Sequence, residues 1–364
     1  MPRAAVLYEY EKPLQVRTLS LRDPHDDEVV VRLAASGVCH TDLTVRAGGL
    51  PLPPPCVLGH EGAGVVEAVG KGVRHLEAGD HVVLSWSANC GRCHYCVRGR
   101  SHLCEGVMDG FLRGDEYVFE DAGTRIARLA GVASFAERTV VRATAAIKIP
   151  ADVPLDRACL VGCAVMTGVG AAINTVSIEP GESVAVFGCG GVGLNVLQGA
   201  RLRGASPIIA VDRVAAKLEL ARTFGATDMV RAGPDVDPVA AVRERTAGLG
   251  VDYAFEVIGS PAVVAQAFAA AKRGGTTVVV GAPPVTAELR LPAASLALEE
   301  KSVVGSLYGS ANLGRDIPRL IELYQRGLLL LDELIDTRIG LDDVNEALDA
   351  LARGEGARRV IVYE

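Results

Sequence analysis

The chain has 364 residues, a net charge of −7, 41 glycines and 4% aromatic residues. That length exceeds one ordinary core and predicts two domains, and the glycine-rich, aromatic-poor composition favours close-packed α/β architecture over a β-sandwich. The mild charge, with no basic cluster, excludes a polyanion-binding surface, so no nucleic-acid partner is expected. The first residues, Met1–Tyr10, lack the uninterrupted apolar core of a signal peptide. No run of about 18 uncharged apolar residues occurs, so no membrane span is expected. Nine cysteines, an odd number, fit thiols and metal ligands in a reducing cytoplasm better than paired disulfides.

In chain order, short β-type runs come first, at Glu28–Leu33, Gly64–Gly70 and Asp80–Ser85, separated by Gly/Pro turns. The proline-rich stretch Leu50–Cys56 can be neither helix nor central strand. Residues 105–140 read as a polar, irregular surface excursion that returns to a strand at Phe135–Val141. From about residue 182 the pattern changes to strands at Ser183–Phe187, Pro207–Asp212, Asp228–Val230, Val251–Glu256, Gly275–Gly281 and Lys301–Gly305, with alanine-rich helices between them. Such alternation predicts a parallel sheet covered on both faces. Amphipathic helices at Asp316–Gln325 and Leu341–Arg353 and a last strand, Arg359–Tyr363, are expected to return to the first domain. The expected division is therefore 1–164 with 307–364, β-rich, and 165–306, doubly wound.

Four cysteines, Cys90, Cys93, Cys96 and Cys104, make a C-x2-C-x2-C-x7-C run. Four thiolates at this spacing can close a tetrahedral shell around one zinc ion, leaving no position open, so the site is expected to hold a lobe together and catalyse nothing. A disulfide cluster is the alternative.

Phe187 is followed by Gly188-Cys-Gly190-Gly191-Val192-Gly193, a G-x-G-x-x-G between a strand and a helix. Its glycines suit a tight turn, backbone approach to a pyrophosphate and close helix–strand packing. The next strand ends in Asp212, where a carboxylate accepts from the adenosine ribose hydroxyls and repels a 2′-phosphate. NAD is therefore expected rather than NADP, although Arg213 beside it can favour a phosphate. Lys217, five residues on, can reach the ribose or stand as a solvated helix charge.

Cys39, His60 and Cys163 are further potential ligands, but they are far apart in the chain and spacing alone does not pair them. Cys39-His40-Thr41-Asp42, Gly59-His60-Glu61, the 90–104 run, Gly162-Cys163 and Gly188–Gly193 do stand in the order typical of one family. In these motifs, and nearly end to end as far as Arg358, the chain resembles the zinc-containing medium-chain alcohol dehydrogenases, in particular their longer-loop branch.

The resemblance implies a GroES-like β-rich catalytic domain with two zinc ions per subunit and a Rossmann domain for NAD. It implies that Cys39, His60 and Cys163 bind a catalytic zinc whose open position polarises an alcohol, with Glu61 behind the metal and Asp42 orienting His60. Thr41 corresponds to the hydroxyl that takes the substrate proton. Thr44 stands where many members carry the histidine that ends the relay, so proton release is expected through water or Thr44 itself. His40 replaces an arginine at the pyrophosphate, which predicts weaker NADH retention, and Arg358 joins the cofactor-binding set. By the same resemblance Leu50, Trp86, Leu129, Ala130 and Ala282 line the substrate pocket. That apolar wall predicts primary alcohols, aromatic, terpenoid or medium-chain aliphatic, and their aldehydes as small-molecule partners. Leu50 stands where the glutathione-dependent formaldehyde branch has an acidic residue, which disfavours that alternative without removing it, and a non-catalytic family member is a third reading. A homodimer is implied, with a tetramer as the other possibility.

Overall fold

The β-type runs of the first half pair into two sheets in a computed structural model that describes residues 1–107 and 117–364. Among the described residues one sheet runs Gln15–Thr18, Arg3–Leu7, Cys56–Val57, Thr124–Arg128, Phe119–Asp121 and Ser20–Leu21. The second runs Ala146–Lys148, His81–Leu84, Glu61–Val69, Glu28–Gly37, Arg358–Val362 and Ile335–Ile339, and Arg138–Arg142 also pairs with Glu28–Gly37. The C-terminal strand does come back to the first unit: Val360, Ile361 and Val362 face Gly37, Ser36 and Ala35 in antiparallel register.

The chain divides into Met1–Ala164 with Asn312–Glu364, and Val165–Ala311. The second boundary lies five residues beyond the expected one, because the segment after strand Ser302–Gly305 is tied back within its own unit. The Thr175 hydroxyl meets those of Ser306 and Ser310 at 2.8 Å each, and the Asn174 side-chain amide donates to the Gly309 carbonyl.

In the second unit the strands Asp228–Arg231, Ile208–Asp212, Val184–Phe187, Val251–Glu256, Ala271–Val279 and Ser302–Gly305 form, in that order, a parallel sheet. Its strands Val184–Phe187 and Ile208–Asp212 are buried, apolar and largely β-branched because helices cover them: Ala185, Phe187, Ile209, Val211 and Ala254 share one core with Val242 and Ala267 from flanking helices.

Three expectations need correction. The 105–140 stretch contains an antiparallel hairpin, Phe119–Asp121 with Thr124–Arg128, turned at Ala122 (φ 47°) and Gly123 (φ 86°). Two consecutive left-handed residues match the twist of a two-residue hairpin, and an alanine in the first position hid it; residues 108–116 of that stretch lie outside the described residues. The strand expected from Phe135 begins only at Arg138. The helix expected at Leu341–Arg353 opens as a 3-10 turn, Leu341–Asp343, before Val344–Ala352. No single helix among the described residues is long and apolar enough to cross a membrane.

Candidate active site

Strand pairing brings distant residues of the first unit together. Glu61 opens the strand that faces Gly37, and Cys39 follows two residues later as the N-cap of helix His40–Arg46. A Cβ on Gly37 would stand 2.1 Å from Glu61 Oε2, so any side chain there would displace that carboxylate. Cys163 arrives from the short helical turn Cys159–Gly162, and a Cβ on Gly162 would press to 2.4 Å on the Leu84 carbonyl. The result is a cluster in which ligand atoms of Cys39, His60, Glu61 and Cys163 all lie within 4.8 Å of one another.

Asp42 organises the cluster from behind. Fully buried, it accepts the Cys39 amide at 3.0 Å and the Gly59 amide at 2.9 Å, and its Oδ1 lies 3.2 Å from His60 Nδ1. With Nδ1 so occupied, His60 Nε2 is buried with no hydrogen-bond partner among the described residues, as are both Glu61 oxygens. Arg358, buried, donates to the Val38 carbonyl at 3.0 Å and lies 3.5 Å from Glu61. Burial pushes the Glu61 carboxyl up to about 8, with Arg358 opposing. The Cys163 thiol, together with the charges of Arg358 and His60, holds Cys39 well below its ordinary value against burial, while Cys163 is pushed up. Two sulfurs gathered beside an orphaned imidazole nitrogen form a donor set that suits a zinc ion.

Thr41 is half-buried, its hydroxyl 4.0 Å from Cys39 Sγ. Thr44 is exposed and its hydroxyl donates to the His40 carbonyl at 2.9 Å; His40 itself is exposed. Leu50, Trp86, Leu129 and Ala130 meet in one apolar cluster, the last two buried and the first two half-buried against it. Ala282 is an exposed residue of the second unit.

The 90–104 run forms a second cluster. Its four cysteines bring their sulfurs within 4.8 Å, and the chain winds through left-handed Gly91 (φ 70°) and Gly99 (φ 74°). The Cys90 amide donates to Cys104 Sγ and the Cys93 amide to Cys90 Sγ, both at 3.3 Å. Backbone amides of Cys96 and Glu105 lower Cys93 to about 6, whereas burial and neighbouring sulfurs push Cys96 up to about 12. Crowded thiols of this kind suit a closed metal shell, and all nine cysteines, each among the described residues, are free.

In the second unit the glycine-rich turn joins Val184–Phe187 to helix Gly191–Leu202. Gly188 is left-handed (φ 102°), a Cβ on Gly193 would collide with the Gly188 carbonyl at 1.9 Å, and one on Gly190 would meet open space. Backbone can thus approach a pyrophosphate at Gly190, Gly191 and Val192. Asp212 accepts from the Cys189 amide (2.7 Å) and the Val214 amide (2.9 Å), which docks its carboxylate against the turn. Arg213 is exposed and Lys217 half-buried. Sequence reasoning passed over Gly37 and Glu256; for Glu256 the available signal was a carboxylate directly after the apolar pair Ala254-Phe255 at the end of its strand.

Comparison with known families decides the relationship. Residues 25–151 match the alcohol dehydrogenase GroES-like domain and residues 191–326 the zinc-binding dehydrogenase family. The chain belongs to the zinc-containing medium-chain alcohol dehydrogenase family. It is 40% identical over 367 residues to an NDMA-dependent alcohol dehydrogenase of Amycolatopsis methanolica, covering 99% of this chain and 98% of that one. It is 38% identical over 372 residues to an S-(hydroxymethyl)glutathione dehydrogenase of Synechocystis, covering 99% of both. The crystal structure of benzyl alcohol dehydrogenase from Acinetobacter calcoaceticus superposes with a TM-score of 0.93 at 36% identity, over 100% of this chain and 99% of that one. As a zinc-binding dehydrogenase of this family the chain is an oxidoreductase, with a β-rich GroES-like domain and a Rossmann-like domain.

Proposed function

We propose that this dehydrogenase oxidises apolar primary alcohols, aromatic ones foremost, to aldehydes with NAD, and runs the reverse reaction. The observation that carries the reading is the Cys39–His60–Cys163 cluster, Cys39 and His60 buried and Cys163 half-buried, with its unpartnered Nε2. Zinc, when bound there, supplies a Lewis acid, and NAD supplies the hydride acceptor.

The chain's own residues do the rest. Cys39, His60 and Cys163 hold the metal, Asp42 fixes the His60 ring through Nδ1, and Arg358 balances the carboxylate of Glu61. The Thr41 hydroxyl, which both donates and accepts, takes the alcohol proton. Thr44 already donates to the His40 carbonyl, so the proton leaves by water unless that bond breaks. Asp212 receives the adenosine ribose and discriminates against a 2′-phosphate, while Gly188–Gly193 admits the pyrophosphate. Leu50, Trp86, Leu129 and Ala130 exclude water from an apolar substrate. Cys90, Cys93, Cys96 and Cys104 hold a second, structural zinc.

The similarity to an S-(hydroxymethyl)glutathione dehydrogenase favours a second reading, a thiol-adduct substrate. A panel of benzylic, terpenoid and aliphatic alcohols, assayed with NAD and NADP and with formaldehyde plus glutathione, decides between them. The expected result is highest kcat/KM for a benzylic or medium-chain alcohol with NAD. Turnover appearing only when glutathione is added to formaldehyde overturns it.

A further inference from the structure

Glu256 ends strand Val251–Glu256 and stands beside Phe187 in parallel register. These are the two central strands from which the sheet is wound in opposite directions, and ligands of open α/β sheets bind at the carboxyl ends of such a pair. The glycine-rich turn leaves the end of one strand, and a short loop, Val257–Ser260, leaves the end of the other.

The fully buried Glu256 carboxylate holds that loop. Its Oε1 accepts three successive amides, from Ile258 at 2.9 Å, Gly259 at 2.8 Å and Ser260 at 3.2 Å. The Glu256 carbonyl accepts the Val280 and Gly281 amides at 2.8 and 3.0 Å, drawing a second loop to the same place. The two loops lie backbone on backbone, since a Cβ on Gly281 would fall 2.1 Å from the Gly259 nitrogen. From the held loop, Val257 and Ile258 rest on the glycine-rich turn: a Cβ on Gly188 would stand 2.7 Å from Ile258 Cγ1, and one on Gly193 3.2 Å from Val257 Cγ2. Ile258 nonetheless keeps 58% of its surface exposed, an apolar side chain presented beside Gly188.

We propose that Glu256 is a positioning residue for the dinucleotide, holding loop 257–260 so that Ile258 forms an apolar wall of the cofactor crevice next to the glycine-rich turn. Glu256 touches no reacting atom; it acts through the loop. All three amides converge on Oε1, whereas Oε2 is buried with no hydrogen-bond partner among the described residues. Burial raises this carboxyl, with the three loop amides opposing. An amide side chain reproduces that arrangement and a methyl does not.

The proposal rests on the reading of Gly188–Gly193 as a dinucleotide site, and the test separates the two. NADH affinity is measured by calorimetry on the zinc-loaded enzyme, with amide exchange followed across residues 257–260. In Glu256→Ala the NADH Kd is expected to rise at least tenfold and the Ile258–Ser260 amides to exchange faster, while kcat at saturating NAD and zinc content stay within threefold of the parent. Glu256→Gln keeps the accepting oxygen, and its Kd is expected within threefold of the parent. Parental affinity in Glu256→Ala, or equal losses in the Ala and Gln variants, overturns the proposal. Should Glu256→Ala not fold, Glu256→Asp takes its place, since it keeps the carboxyl group but withdraws the oxygen by one methylene. The same tenfold rise is expected there, and an unchanged Kd overturns the proposal. A parent enzyme that binds neither NADH nor NADPH overturns the dinucleotide reading itself.

Discussion

Asp42 is bonded to the Cys39 and Gly59 amides and lies against His60 Nδ1, so one carboxylate fixes the helix cap, the turn before His60 and the ring orientation together. Asn at this position keeps the size but places an amide NH2 against one of those donors. Outer partners of this kind contribute about 10–100-fold to metal affinity. Asp42→Asn is therefore expected to lose zinc from the Cys39–His60–Cys163 cluster at chelator concentrations that leave the parent loaded. Metal retention during dialysis against graded chelator measures this, and parental retention contradicts it. The residue scale is also where the sequence was least legible. Cys39, His60 and Cys163 became a set only through resemblance, because their meeting depends on the Gly37–Glu61 register and on Gly162 approaching the Leu84 carbonyl. Neither closeness leaves a periodic trace.

Elements show a different balance. The parallel strands Val184–Phe187 and Ile208–Asp212 were legible because burial on both faces demands apolar, β-branched runs, and the glycine-rich turn because only glycine fits Gly188 and Gly193. The hairpin through Ala122 was not, since its turn places alanine where glycine or asparagine is usual. Strand Glu28–Gly37, the spine of the catalytic unit, begins with a buried Glu28 that takes two bonds from Arg22, at 2.6 and 2.9 Å, and the His25 amide. Burial raises the Glu28 carboxyl, but Arg22 and the amide outweigh it and hold the folded value below the ordinary one. A lowered folded pKa contributes stability that is complete above the unfolded pKa and is lost as pH falls through the folded value. Glu28→Gln is accordingly expected to cost about 1.5–3 kcal/mol at neutral pH, with the difference from the parent shrinking in acid. Urea midpoints at several pH values measure it, and a pH-independent difference contradicts the ion-pair account.

The two cysteine-bearing segments separate at the same scale. The 90–104 lobe closes on itself through its own N–H···S bonds, whereas Cys163 belongs to the cluster with Cys39 and His60. In the proposed reading the parent carries two zinc ions per chain. Cys93→Ser is expected to lose about one zinc and to lower the melting temperature, because a structural site contributes folding energy outright. Cys163→Ser is expected to lose the other zinc, and with it turnover, while melting close to the parent. Metal analysis with calorimetry tests both, and a parent holding one zinc removes one site from the reading.

At the scale of the whole molecule, the proposed function assigns the alcohol to Met1–Ala164 with Asn312–Glu364 and the adenosine end of the cofactor to Val165–Ala311. Asp212 stands at the end of a parallel strand in one unit and Trp86 in an apolar cluster of the other. In the proposed reading, removing the Asp212 carboxylate takes away the repulsion of a 2′-phosphate, along with two backbone bonds, and leaves the alcohol pocket as it was. In the same reading, removing the Trp86 ring takes away apolar surface that would contact the substrate and leaves the ribose site as it was. Asp212→Gly should therefore relax the NAD-to-NADP ratio of kcat/KM without reordering alcohols, and Trp86→Ala should reorder alcohols at an unchanged cofactor ratio. In the double variant the two changes in transition-state free energy should sum to within about 0.5 kcal/mol, as for sites without shared partners. Steady-state kinetics on the four proteins of this cycle measure the coupling. A coupling well above that figure would mean that cofactor and alcohol selection are not divided between the two units.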